Sequence, residues 1–233
     1  MRTLTVIFFC LFMMAAGSAY SQSKTISRDF PLPLGKKLRM ELKFADSIFI
    51  KAHNADHVQF KAVVTVNGGK LNDAFLLEST NETDRLFIKT DWDAAMLKKG
   101  NSEDCPEADK AHGIIYHNRQ GCLCAHIRIE IAVPRNAELN VSSISGNIEI
   151  RGIENNLEAK SISGFVDVAW PDNNGAEVSL KTINGEIFSN LPIVIHNKDS
   201  QAGIGSRIIG QLGDGHKQVR IESISGDLFF RKQ

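Results

Sequence analysis

Four ten-residue stretches decide how this chain folds: VSSISGNIEI (141–150), AKSISGFVDV (159–168), LKTINGEIFS (180–189) and IESISGDLFF (221–230). Their glycines, Gly146, Gly164, Gly185 and Gly226, are 18, 21 and 41 residues apart, the last spacing being about two periods. A degenerate unit is expected near AGIGSRII (202–209). Apolar columns stand seven and five residues before each glycine, at Leu139/Leu157/Val178/Val219 and Val141/Ala159/Leu180/Ile221. A hydroxyl column follows at Ser143/Ser161/Thr182/Ser223, and Ile148/Val166/Ile187/Leu228 stand two residues after the glycine. The residues between are mostly polar, which is the period-2 signature of a half-buried strand.

The isoleucine two residues before each glycine (Ile144, Ile162, Ile183, Ile224) reads as a one-residue slip in that alternation. A slip beside Ser/Asn-Gly marks a corner or bulge, where glycine supplies positive φ. Each repeat is then strand, corner, strand, and one unit cannot bury its apolar face alone. The expectation is an all-β, right-handed parallel β-solenoid, a β-helix-like stack with clear repeats at 138–232 and a more irregular N-terminal β region.

Working outward, residues 38–90 show short alternating runs such as Leu38/Met40/Leu42 and Val58/Phe60/Ala62, separated by turns including Asn67-Gly68-Gly69. With no linker between the halves, residues 22–233 read as one β-repeat domain with an irregular insertion at about 91–122. Asp91–Gly100 is the one segment expected to be helical. At the N-terminus, Arg2, the apolar run Leu4–Ala16 and small residues around Ala19 and Ser21 have the layout of a secretory signal peptide, residues 1–21. The apolar run is shorter than the roughly 20 residues of a bilayer span, so no transmembrane anchor is expected in the mature chain. The protein is placed outside the cytoplasm: in periplasm, on the outer surface or in the medium.

The 27 basic and 27 acidic residues balance, and no run of five like charges occurs. That excludes binding to nucleic acid through a basic stripe. From Ile127 onward the S-x-S/N-G-x-I-x-I units, the passage IRIEIAVPRNAELNV (127–141) and the ending IIGQLGDGHKQVRIESISGDLFFRK (208–232) resemble the bacterial putative-adhesin family. The resemblance covers roughly residues 40–232 and implies an extracytoplasmic all-β repeat domain of a bacterial envelope. It brings no catalytic residues. Asp46-Ser47-Ile48 is similar to a short O-glycosylation acceptor motif, but it reads more simply as a turn.

Chemistry has two places to reside. Residues 104–126 hold Cys105, His112, His117, Cys122, Cys124 and His126. Thiolate and imidazole suit zinc or copper, the basis of a periplasmic metal-binding reading. An extended strand places Cys122 and His126 about 13 Å apart, however, and an oxidising compartment favours a disulfide. Cys105 is expected to bond either Cys122 or Cys124. Those two share one strand face with parallel Cβ vectors and should not bond each other. The second place is Glu149 and Asp167, one strand spacing apart (about 4.8 Å) if rungs stack, the basis of a glycan-active enzyme reading. An outward, solvated pair is the simpler account.

No nucleophile elbow, phosphate loop or HExxH occurs. The expected function is therefore a non-catalytic binding or structural module without cofactor or metal, its partner an envelope protein or glycan. Phe165, Phe188 and Phe229 form a candidate interaction surface, although a loop from 190–218 is expected to cover them. The C-terminal rung, 219–230, is read as an uncovered stack end available for self-association.

Overall fold

The computed structural model describes residues 22–105, 114–118, 121–201 and 205–233. The N-terminal region supplies β1 (Lys24–Pro31), β2 (Lys37–Leu42), β3 (Ser47–His53), β4 (His57–Val66), β5 (Phe75–Asn81) and β6 (Arg85–Trp92). A single-turn helix α1 (Ala94–Leu97) follows, started by the Asp93 carboxylate, which accepts from the amides of Ala95 and Met96. Next come β7 (Ile114–Asn118) and the long β8 (Gly121–Pro134). The repeats give the pairs β9 (Glu138–Ser145) and β10 (Asn147–Arg151), β11 (Leu157–Ser163) and β12 (Val166–Trp170), and β13 (Ala176–Asn184) and β14 (Ile187–Ser189). The chain closes with β15 (Val194–Gln201), β16 (Gly205–Leu212), β17 (Lys217–Ser225) and β18 (Leu228–Lys232).

These strands build two facing mixed sheets. One runs β1-β4-β8-β3-β10-β12-β18-β14, with β7 on β8; the other runs β15-β16-β13-β17-β11-β9-β2-β6-β5. Within the repeats every pairing is parallel and in register, so Leu157 lies between Leu139 and Val219. The first sheet aligns Val166 with Ile148 and Leu228 in the same way. Like residues therefore stack on like, and Val141, Ala159, Leu180 and Ile221 are all fully buried. Each such isoleucine, leucine or valine contributes about 1.5–3 kcal/mol by leaving water. The N-terminal region joins the same ladder, since β2 is parallel to β9 and β3 to β10.

The stack is not uniformly parallel. Antiparallel pairs flank it, β1 on β4, β4 on β8 and β5 on β6 at one end and β16 on β13 and β15 on β16 at the other. Residues 205–209 of the expected degenerate repeat lie in antiparallel β16, while 202–204 lie outside the described residues. Order in space also departs from order in the chain. The final pair, β17 and β18, inserts between β11–β12 and β13–β14. The C-terminal rung is therefore interior, with both edges of both strands hydrogen-bonded. No free edge remains on it, which removes the physical basis for self-association through the end of that rung.

The corner between paired strands rests on glycine. A Cβ on Gly146 would lie 1.8 Å from the Ala45 carbonyl oxygen, and one on Gly164 would lie 2.5 Å from that of Gly146. The series continues from Gly226 onto Gly164 and from Gly185 onto Gly226, reproducing the spatial order of the rungs. The preceding hydroxyls point inward and satisfy corner carbonyls: Ser143 Oγ donates to Ser145 O at 2.6 Å, and Thr182 Oγ1 to Gly226 O at 2.8 Å. Strand alternation thus continues through the hydroxyl, and the isoleucine after it lies on the outer face. The slip expected at Ile144, Ile162, Ile183 and Ile224 does not occur. Asp46 forms the equivalent corner beside β8, its carboxylate accepting from the Ile127 amide at 2.8 Å.

Gly164→Ala should lower unfolding free energy by about 3 kcal/mol, because the added methyl meets backbone at a strained φ. Gly35, also at positive φ but with nothing within 4 Å of a Cβ, should lose only about 1 kcal/mol as alanine. Urea midpoints of the two variants check the contrast.

Candidate binding surfaces

Glu149 and Asp167 are brought side by side in register on β10 and β12. Asp167 is nearly buried and clamped between two guanidiniums. Arg151 Nη2 donates to its Oδ2 at 2.8 Å and Arg231 Nε to its Oδ1 at 3.0 Å, with Arg231 Nη2 closing a bidentate pair. Burial alone raises the Asp167 pKa, but hydrogen bonds and charge from Arg151 and Arg231 outweigh it and hold the carboxyl below its ordinary 3.8. Arg151 also reaches Glu149 Oε2 at 3.2 Å. A glycosidase pair needs one carboxyl kept protonated as general acid and one ionised, and this clamp keeps Asp167 from serving as the acid.

Beside the clamp, one face gathers all three phenylalanines singled out from the sequence. Phe188 stacks on Phe229 with centroids 5.1 Å apart, and Phe165 meets Phe229 edge-on at 6.0 Å. Phe188 is 42% exposed while Phe165 and Phe229 are half-buried, so the cluster opens to solvent at Phe188. The outward row of the sheet reads Phe49, Glu149, Asp167, Phe229, Phe188 through successive parallel strands. Stacked rings beside fixed ionic groups can hold a ligand that has both apolar faces and hydroxyls.

Cys105 and Cys124 are joined by a disulfide, Cα atoms 5.7 Å apart. Cys124 lies on the outer side of β8, yet it is buried because the 101–105 turn closes over it and the Asn67 side chain accepts from its amide at 3.1 Å. Two thiols of the proposed metal cluster are thereby consumed. His126 lies 3.6 Å from Asp46, and among the described residues no three metal-ligating side chains converge. His112 lies outside the described residues, as do the side chains of His117 and Cys122.

Sequence reasoning missed a fourth surface. Ile144, Ile162, Ile224 and Ile183 stand in consecutive strands on the outside of the second sheet, 36%, 48%, 46% and 41% exposed. They line an open groove of about 410 Å³ with Lys160 and Glu222. The signal was present: one large apolar residue in all four repeats, at an outward position that packing does not require.

Residues 128–229 match the Toastrack DUF4097 family model. This segment is similar to the Toastrack domain. A crystal structure of a "putative cell adhesion protein" from Clostridium sporogenes shares the fold, with a TM-score of 0.52, 14% identity, 91% of this chain covered and 100% of that one. A "putative adhesin" from Bacteroides fragilis aligns with a TM-score of 0.24 at 8% identity, over 89% of this chain and 97% of that one. No curated protein matches the sequence. The matched segment contains Arg151 and Asp167, the phenylalanine cluster and the isoleucine row, whereas Cys105 and the first part of β8 precede it and Arg231 of the clamp follows it.

Two measurements test this chemistry. Alkylation of unreduced mature protein followed by mass spectrometry should give the Cys105 and Cys124 peptides linked and Cys122 alkylated. Because the folded Asp167 pKa is depressed, its stabilisation is fully present above 3.8 and is lost as pH falls through the lower folded value. Asp167→Asn should therefore cost about 1–2 kcal/mol at pH 7 and progressively less below pH 3.8, read by denaturant titration at each pH.

Proposed function

We propose that this protein is an exported, non-catalytic binding module of a bacterial envelope that holds an envelope glycan or protein on the Phe165/Phe188/Phe229 face. The observation that carries the reading is the pairing of a stacked aromatic cluster, open to solvent at Phe188, with an Arg-clamped carboxylate. The first offers a ligand a surface. The second holds Asp167 ionised with both oxygens engaged by arginine, which keeps it from acting as a general acid. Supporting its place outside the cytoplasm are the signal-peptide layout of residues 1–21 and the Cys105–Cys124 disulfide. Among the described residues no helix is long and apolar enough to cross a membrane. In this reading residues 22–233 act as one rigid unit, its coil right-handed as parallel crossovers usually are.

Purified mature protein should bind isolated envelope material without releasing sugar. Phe188→Ala with Phe229→Ala should weaken binding at least about tenfold, while Glu149→Gln with Asp167→Asn should change it less. Reproducible glycan cleavage by the wild type that the carboxylate double variant abolishes would overturn the reading in favour of an enzyme.

A further inference from the structure

The outer face of the second sheet carries charges arranged so that they complement a copy of themselves. Along the row nearest the isoleucines, residues in register on β2, β9, β11, β17, β13 and β16 are Glu41, Ser142, Lys160, Glu222, Lys181 and Arg207. The next row is Arg39, Asn140, Glu158, Arg220, Ser179 and Ile209. Consider a two-fold axis lying along the strands, above the boundary between β11 and β17. It brings the face of one molecule onto that of another with strand order reversed and position along the strand preserved.

Lys160 then faces Glu222 of a second copy, Glu158 faces Arg220, and Glu41 faces Arg207. Ser142 meets Lys181, Asn140 meets Ser179 and Arg39 meets Ile209. Neither row sets like charges opposite each other. The same operation places Ile162 on Ile224 and Ile144 on Ile183, which covers the row of exposed isoleucines. A two-fold axis running across the strands would instead return each strand to itself, setting Lys160 against Lys160 when centred on that row.

We propose that this face is an isologous self-association surface, the isoleucine row forming its apolar seam and the two charge rows fixing its register. Six strands at about 4.8 Å and six residues at about 3.3 Å span roughly 600 Å² per partner, at the small end of specific interfaces. The strands of the two molecules stay nearly aligned, as in face-packed sheets. Lys160 sits 2.5 Å from Glu158, and Arg220 2.6 Å from Glu222, within each molecule. The intermolecular pairs are therefore shared with these, and association is weak and salt-sensitive. The interaction uses sheet faces and leaves strand edges alone. It is also independent of the ligand reading, which concerns the opposite sheet.

Sedimentation velocity on the mature protein tests it. Wild type should show a monomer–dimer equilibrium in the range of about 1–100 µM, weakened by salt. Lys160→Glu and Glu222→Lys should each weaken dimerisation at least about tenfold, because each sets like charges opposite twice. An equimolar mixture of the two variants should recover association to within about threefold of wild type, since one chain then offers only acid and the other only base at these positions. Intramolecular repair cannot produce that recovery. Ile162→Asp should abolish the dimer with the charge rows intact, and unchanged melting midpoints confirm that the variants fold. A wild-type monomer at about 500 µM, or a mixture no tighter than its components, overturns the proposal.

Discussion

The structure depends on how closely one turn of the chain lies on the next at the corners. Backbone at Gly146, Gly164, Gly226 and Gly185 sits so near the neighbouring carbonyl that no Cβ fits. That approach keeps the strands on both sides of the corner in parallel register, and register brings the apolar columns together. Inward hydroxyls at Ser143, Ser161, Thr182 and Ser223 complete the corner, because a carbonyl shut away from water needs a donor and an aliphatic side chain offers none. Glycine and hydroxyl are one device, two parts of a single backbone requirement.

The same constraint shapes the outer surfaces. Parallel in-register stacking repeats every outward position at the strand spacing, so a residue type recurring in sequence becomes a row in space. Phe188 and Phe229 meet as a stacked pair for this reason, and the isoleucines become a continuous seam. Rows of charge arise likewise, with alternation of sign set by which rung neighbours which. The two sheets thus present different chemistry: rings and a clamped aspartate on one, aliphatic and alternating ionic rows on the other.

Insertion of β17–β18 between earlier rungs has a consequence for assembly. β13 finds its parallel neighbour in β17, reached only after the β15–β16 hairpin has folded back on the far side. The rung formed by β13 and β14 therefore joins the rest of the stack through the C-terminal strands β17 and β18. Contacts of this long range are entropically costly to nucleate, and they tie the end of the chain into the core.

The all-β class, the strand-corner-strand unit and the inward columns were legible in the amino-acid sequence, because period-2 alternation and a repeated Ser-x-Ser-Gly are properties of local backbone geometry. Glu149 beside Asp167 and the nearness of the phenylalanines were legible too, both direct consequences of repeat register. Other features needed the tertiary structure. The order β11–β17–β13 could not be read from chain order, since similar columns stack equally well on any neighbour. Nor could the clamp on Asp167, because Arg151 and Arg231 lie on opposite sides of it in strands 80 residues apart. Cys124 was chosen for Cys105 by the turn that closes over β8, a packing event with no local signature. The isoleucines were visible as letters, but their outward direction was fixed only when the preceding hydroxyl turned inward to satisfy the corner.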